Sequence, residues 1–204
     1  MRAPLPANEN ERLEALYRCG ILDTEPEPSF DEIASLAGQL CATPMALVSL
    51  VDADRQWFKA RVGLPATETP RDVSFCAHAV ASNEPLVVDD TLQDTRFAGN
   101  PLVTSDPNIR FYAGVPLTLE DGLTVGTLCV LDRVPRRLSP AQMAALGMLA
   151  RQVTTELGLR RALSSAQLQR QAEAQLASSR ATPSYAGVPV PRVGEPELPR
   201  QIRN

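Results

Sequence analysis

Phe111-Tyr-Ala-Gly-Val-Pro-Leu-Thr-Leu-Glu-Asp-Gly-Leu-Thr-Val-Gly-Thr-Leu-Cys-Val-Leu131 reads as two strands, 111–119 and 123–131, joined by Glu120-Asp121-Gly122. Asp-Gly between two apolar runs supplies the positive φ of a tight hairpin turn. Both strands are apolar on both of their alternating faces. A sheet built from such strands has to be covered on two sides, which excludes a simple one-faced antiparallel layer.

Working outward, Met45 to Val51 has the same two-faced character, with Met45, Leu47 and Val51 alternating against Ala46, Val48 and Leu50. Asp52-Ala-Asp-Arg55 turns this strand into a second one, 56–62, which carries Trp57 and Phe58, so the pair reads as another antiparallel hairpin. A short strand is expected at 86–88, followed by an irregular stretch over 89–108. Leu13, Leu16 and Tyr17 form one stripe of a first helix over 8–19 that Gly20 stops. A second helix opens at Ser29 and turns Phe30, Ile33, Leu36, Ala37 and Leu40 inward. Ser139-Pro140 is a cap followed by proline at the first helical position, and opens a last helix with Met143, Leu146, Leu149, Val153 and Leu157 inward.

The expected fold class is therefore α+β: an antiparallel sheet of five to six strands, with helices from both chain ends on one face. The middle loops, 63–83 and 89–108, cover the other face and leave room for a pocket whose floor is the sheet. Residues 1–7 are expected to be a flexible N-terminus, 8–160 the domain and 161–180 a helical extension. In that extension Leu163, Leu168 and Leu176 break heptad spacing. Residues 181–204 hold five prolines and few large apolar side chains, the composition of a disordered tail.

Charge and cysteine usage narrow the function. Residues 1–138 hold 20 acidic and 12 basic side chains, a net −8, whereas 139–204 hold 4 and 8, a net +4. An acidic body repels phosphate backbones, which argues against nucleic-acid binding. No segment approaches the roughly 18 uncharged apolar residues of a membrane span, and the N-terminus lacks a secretory core, so a cytoplasmic location without membrane contact is expected. Cys19, Cys41, Cys76 and Cys129 are widely spaced and read as free thiols rather than as zinc ligands or a disulfide framework.

Cys76 and His78, the only histidine, stand two residues apart in a short helix that follows the Pro70 loop. A thiol beside an imidazole suggests an activated nucleophile. Positions two apart on a helix point about 200° from one another, which favours the plainer reading that Cys76 packs and His78 makes a local hydrogen bond.

The order of elements and several segments resemble a GAF domain. Those segments are Ala46-Leu-Val-Ser-Leu-Val-Asp52, Arg55-Gln-Trp-Phe-Lys59 followed by Gly63, Pro70-Arg-Asp-Val-Ser-Phe-Cys-Ala-His78, Pro85-Leu-Val-Val-Asp89, Arg96-Phe97 with Asn100-Pro101, Ile109-Arg-Phe-Tyr-Ala-Gly-Val-Pro-Leu117 and Val125-Gly-Thr-Leu-Cys-Val-Leu-Asp132. The likeness is closest to the bacterial subgroup found ahead of histidine-kinase or diguanylate-cyclase modules. It implies a cytoplasmic module that senses a small molecule or redox state without catalysis of its own. It also implies a pocket on the sheet face away from the terminal helices, and a homodimer paired through 8–19 and 139–165. The ligand and any cofactor stay unnamed, since the family binds many small molecules.

Candidate ligand-binding residues are Trp57, Arg71, Asp72, Phe75, Cys76, His78 and Phe111, with Asp89, Asp90 and Arg110 as further polar anchors. Plain core for the aromatics and loop ion pairs for the charges are the competing readings. Two alternatives stand beside the sensor. One is a ligand-free dimerisation module. The other is a thiol enzyme like the GAF-type free methionine-(R)-sulfoxide reductases, which have a cysteine comparable to Cys76. That chemistry needs a resolving cysteine nearby, and Cys19, Cys41 and Cys129 read as core. A covalent bilin, also known in the family, is disfavoured because Cys and His are not adjacent here.

Overall fold

The structure, a computed structural model, describes residues 2–180. The tail expected over 181–204 lies outside the described residues. Six strands, β1 (Met45–Val51), β2 (Arg55–Val62), β3 (Glu68–Pro70), β4 (Leu86–Val88), β5 (Phe111–Thr118) and β6 (Thr124–Asp132), form one sheet in the order β3-β2-β1-β6-β5-β4. Every pairing is antiparallel. The two expected hairpins, β1-β2 and β5-β6, form the four central strands, and the β1-β6 pairing joins them. β3 was expected as loop. Its three residues pair with Arg55, Gln56 and Trp57 at the sheet edge, where Pro70 interrupts no interior ladder.

Alternation sorts side chains to the two faces. Ala46, Val48, Leu50, Phe111, Ala113, Leu117, Leu128 and Val130 join a cluster with α1 (Glu9–Arg18), α2 (Pro28–Cys41) and α5 (Pro140–Arg180). Leu146, Ala150, Val153 and Leu157 recur at helical spacing on α5 and are all buried there. Each fully buried aliphatic side chain contributes roughly 1.5–3 kcal/mol before the cost of ordering it. Leu36 and Leu40 were expected inward but are exposed by 42% and 45%. The buried stripe of α2 runs instead through Phe30, Ile33, Ala34, Ala37 and Cys41 and leaves these leucines on its flank. Tyr17, also expected inward, lies at the surface and donates its hydroxyl proton to Asp52 at 2.8 Å.

The opposite face carries Met45, Leu47, Val51, Phe58, Tyr112, Cys129 and Leu131 beneath α3 (Phe75–Ser82) and the loops that include α4 (Pro101–Thr104). The compact unit ends at Gln167, and residues from Leu168 form a second unit whose described side chains are exposed. Ala3 packs against the second cluster. Among the described residues no helix is long and apolar enough to cross a membrane.

Candidate functional site

α3 is held over the sheet by polar contacts at its start. Ser74 caps it by accepting from Ala77 N–H at 3.0 Å and donates to Gln56 of β2. Gln56 in turn donates to Thr69 of β3 at 2.7 Å, and Asn100 donates to the Val73 carbonyl at 2.9 Å. Between α3, the 64–66 and 106–109 loops and the sheet lies a partly enclosed cavity of about 160 Å³. Met45, Leu47, Phe58, Ile109, Tyr112 and Leu131 supply most of its apolar wall, while Gln56, Thr69 and Asp106 bring polar groups to it.

Of the residues singled out by sequence, Phe75 and Cys76 line this cavity. Phe75 stacks on Phe97 at 4.3 Å and on Tyr112 at 5.1 Å. Trp57 and Phe111 do not line it. They belong to the helix-covered cluster, because their neighbours Phe58 and Tyr112 are the ones that the register turns to the cavity. Arg71 is buried in a structural role: its guanidinium donates to Glu9 at 2.6 Å and to the Asp52 carbonyl at 2.9 Å. Asp72 pairs with Arg2 at the surface. His78 stands edge-on to Phe97 at 4.9 Å and is not among the cavity-lining residues. Asp89 pairs with Arg137, Asp90 accepts from Leu92 N–H, and Arg110 donates to the carbonyls of Val103 and Ile109. These three anchor loops rather than the cavity.

Cys129 is buried in the core, as its strand position suggests, but it also meets Cys76. Its sulfur lies 3.8 Å from that of Cys76, on the wall of the same cavity. The nearby second thiol that the sequence reading found missing is therefore present. The Tyr112 hydroxyl donates to Cys76 Sγ at 3.4 Å. It reaches there because Gly114, two residues on and opposite Cys129, leaves space for the ring: a Cβ on Gly114 would stand 2.2 Å from that hydroxyl. Gly126 likewise lets β1 approach, since its Cβ would meet the Ser49 carbonyl at 2.1 Å. Thr127 Oγ1 lies beside both sulfurs and is, among the described residues, the one buried side-chain oxygen or nitrogen without a hydrogen-bond partner.

Burial alone pushes the Cys76 thiol up. The polar groups around it, the Cys129 thiol first and then the Ser49 and Tyr112 hydroxyls, outweigh that and bring it down to about 6. Burial and the neighbouring Cys76 sulfur push Cys129 and Tyr112 well above their ordinary values. The neighbouring sulfurs thus titrate together, with the lower value falling on Cys76. Among the described residues no group of three or more histidine, cysteine or acidic side chains is placed to hold a metal.

The chain matches the GAF domain family over residues 25–157. It is 41% identical over 155 residues to a cyclic di-GMP phosphodiesterase of Pseudomonas aeruginosa, covering 76% of this chain and 26% of that protein. The match thus spans about a quarter of the curated relative. Among solved structures it resembles the GAF domain of an Acinetobacter phosphoenolpyruvate-protein phosphotransferase, at 19% identity and a TM-score of 0.57 over 75% of this chain and 96% of that one. It also resembles the free methionine-R-sulfoxide reductase of Neisseria meningitidis, at 19% identity and a TM-score of 0.54 over 79% and 98% of the two chains. At these identities the structural likenesses establish the fold alone.

Proposed function

The chain belongs to the GAF domain family, and from that premise we propose that it is a cytoplasmic signalling module that binds a small, mainly apolar molecule and has no catalytic turnover. The cavity under α3 carries this reading. Its roughly 160 Å³ compares with an engineered apolar cavity of about 150 Å³ that holds benzene or xenon. A ligand of that size, with one polar group for Gln56, Thr69 or Asp106, fits. A cyclic nucleotide or a tetrapyrrole does not, unless the loops open.

Binding would bias α3 and the sheet between two arrangements, and α5 packs on the reverse of that sheet, so it is the natural output. Met148, Leu159 and Leu163 are exposed by 57%, 57% and 62% along α5, and Leu36 and Leu40 are exposed on α2. These side chains suit a homodimer formed through the helical face. The similarity to a cyclic di-GMP phosphodiesterase supports an output in cyclic di-GMP signalling, with a diguanylate cyclase or a histidine kinase as partner.

A thermal-shift and native mass-spectrometry screen of benzene-sized to amino-acid-sized compounds tests the reading. A hit should raise the Tm of the wild type and leave that of the cavity-filling Leu47→Phe variant unchanged. No hit, or an equal shift in both, removes the sensor reading and leaves the ligand-free dimerisation module.

A further inference from the structure

From the cavity wall we infer that Cys76 and Cys129 form a two-thiol redox site, which takes a small hydroperoxide and closes to a reversible intramolecular disulfide. The site goes beyond the ligand reading and needs no other molecule in the cavity.

Three observations converge on it. The sulfurs are 3.8 Å apart, although 53 residues separate them in sequence. Bond formation requires an approach to about 2.05 Å, which α3 and the Cys76 side chain can supply by a small movement toward β6. Both sulfurs border the cavity, which has room for a peroxide and is partly open. Lastly, a polar group stands where the chemistry needs it: the buried Tyr112 hydroxyl reaches Cys76 Sγ at 3.4 Å.

The steps balance. Cys76, as thiolate, attacks one oxygen of the hydroperoxide, and the O–O bond breaks. The other oxygen leaves as alkoxide, or hydroxide from hydrogen peroxide, and takes up the proton that Cys76 had lost. Cys76 is now a sulfenic acid. Cys129 attacks that sulfur, the S–O bond breaks, and the leaving hydroxide takes the Cys129 proton to become water. Two thiols have lost two electrons and two protons, and the hydroperoxide has become an alcohol and water.

The remaining cysteines are internal controls. Cys19 and Cys41 are buried in the helix-covered layer; burial pushes the Cys19 thiol up to about 11 and raises Cys41 as well.

The full chain is treated with one equivalent of hydrogen peroxide or of tert-butyl hydroperoxide, then digested without reductant and mapped by mass spectrometry. The expected product is a Cys76–Cys129 cross-link lacking two hydrogen atoms, reversed by dithiothreitol, with Cys76 reacting at least about tenfold faster than Cys19 or Cys41. Closure should also raise the Tm, because the cross-link restricts the unfolded chain. Cys129→Ala should stop at a trappable sulfenic acid on Cys76. Two results would each overturn the proposal: no linkage in the wild type, or equal reactivity of all four thiols. Because the wild-type map needs no variant, a misfolded mutant leaves the test intact, and a failed cross-link leaves the ligand screen unaffected.

Discussion

The Tyr112 ring lies over Gly114, so close that a Cβ on the glycine would stand 2.2 Å from the phenol oxygen and 2.7 Å from Cζ. Tyr112 is fully buried and stacked against Phe75, so it cannot swing aside without disturbing the cavity wall. Gly114→Ala is therefore expected to cost about 1–3 kcal/mol, from overpacking. In a Tyr112→Phe background the nearest atom is gone and the cost should fall. Urea denaturation of the four proteins of that double-mutant cycle measures it, and strictly additive effects would rule out the contact.

Glu9 joins the N-terminal helix to the turn after β1. It accepts from Arg12 at 2.7 and 2.9 Å and from Arg71 at 2.6 Å. Burial pushes its carboxyl up, but the hydrogen bonds and charges of Arg12 and Arg71 prevail and lower it from 4.5 to about 2. A folded-state value below the unfolded one means that the stabilisation is complete above pH 4.5 and is lost as pH falls toward 2. Glu9→Gln should cost about 2–3 kcal/mol at neutral pH. The gap between variant and wild type should narrow steadily over that acid range in denaturant titrations. A gap that does not change with pH would show that the carboxylate is not the source.

The two sheet faces can be separated by mutation. Phe58→Leu alters the cavity wall, whereas Phe111→Leu acts on the opposite layer. Each should destabilise the chain by about 1–3 kcal/mol. Only Phe58→Leu should change the affinity of a cavity ligand found by the screen. Equal effects on affinity would place the ligand elsewhere.

That distinction marks the limit of what the sequence discloses. The two hairpins and the three long helices are legible because two-faced apolar strands, Asp-Gly turns and helical stripes are local signals. Which of Trp57 and Phe58, or of Phe111 and Tyr112, faces the cavity is a matter of register, and one residue of slip exchanges the faces. In β2 the register is set by a shift between Val48 and Ser49 of its partner, which leaves no mark in composition. A signal for Tyr112 does exist: Gly114 stands two residues away on the same face, where a small residue makes room for a large one. The meeting of Cys76 with Cys129 depends on where α3 lands on β6, a long-range packing result that no spacing rule supplies.

Exposed leucines on α5 give a test of association. Met148, Leu159 and Leu163 fall at spacings of 11 and 4, so they share one stripe of the helix. Light scattering after size-exclusion chromatography should find a dimer for the wild type and a monomer for the Leu159→Glu/Leu163→Glu double variant, with unchanged circular dichroism. A wild-type monomer at high concentration would remove the dimer from the proposed mechanism.

Asn83 ends α3 in the left-handed region, at φ 53°, and its side-chain oxygen accepts from both Thr118 and Thr124 at the turn end of the β5-β6 hairpin. Two physical contributions therefore meet at one residue. Asn83→Gly keeps the backbone conformation at no steric cost and loses the acceptor, whereas Asn83→Ala loses both. The alanine variant should cost about 1–2 kcal/mol, with glycine falling between it and wild type. Since Asn83 ties the end of the cavity-covering helix to the hairpin, hydrogen exchange in 75–82 should rise in both variants. If glycine matches wild type in stability and exchange, the backbone conformation alone holds α3 in place, and the threonine contacts contribute nothing.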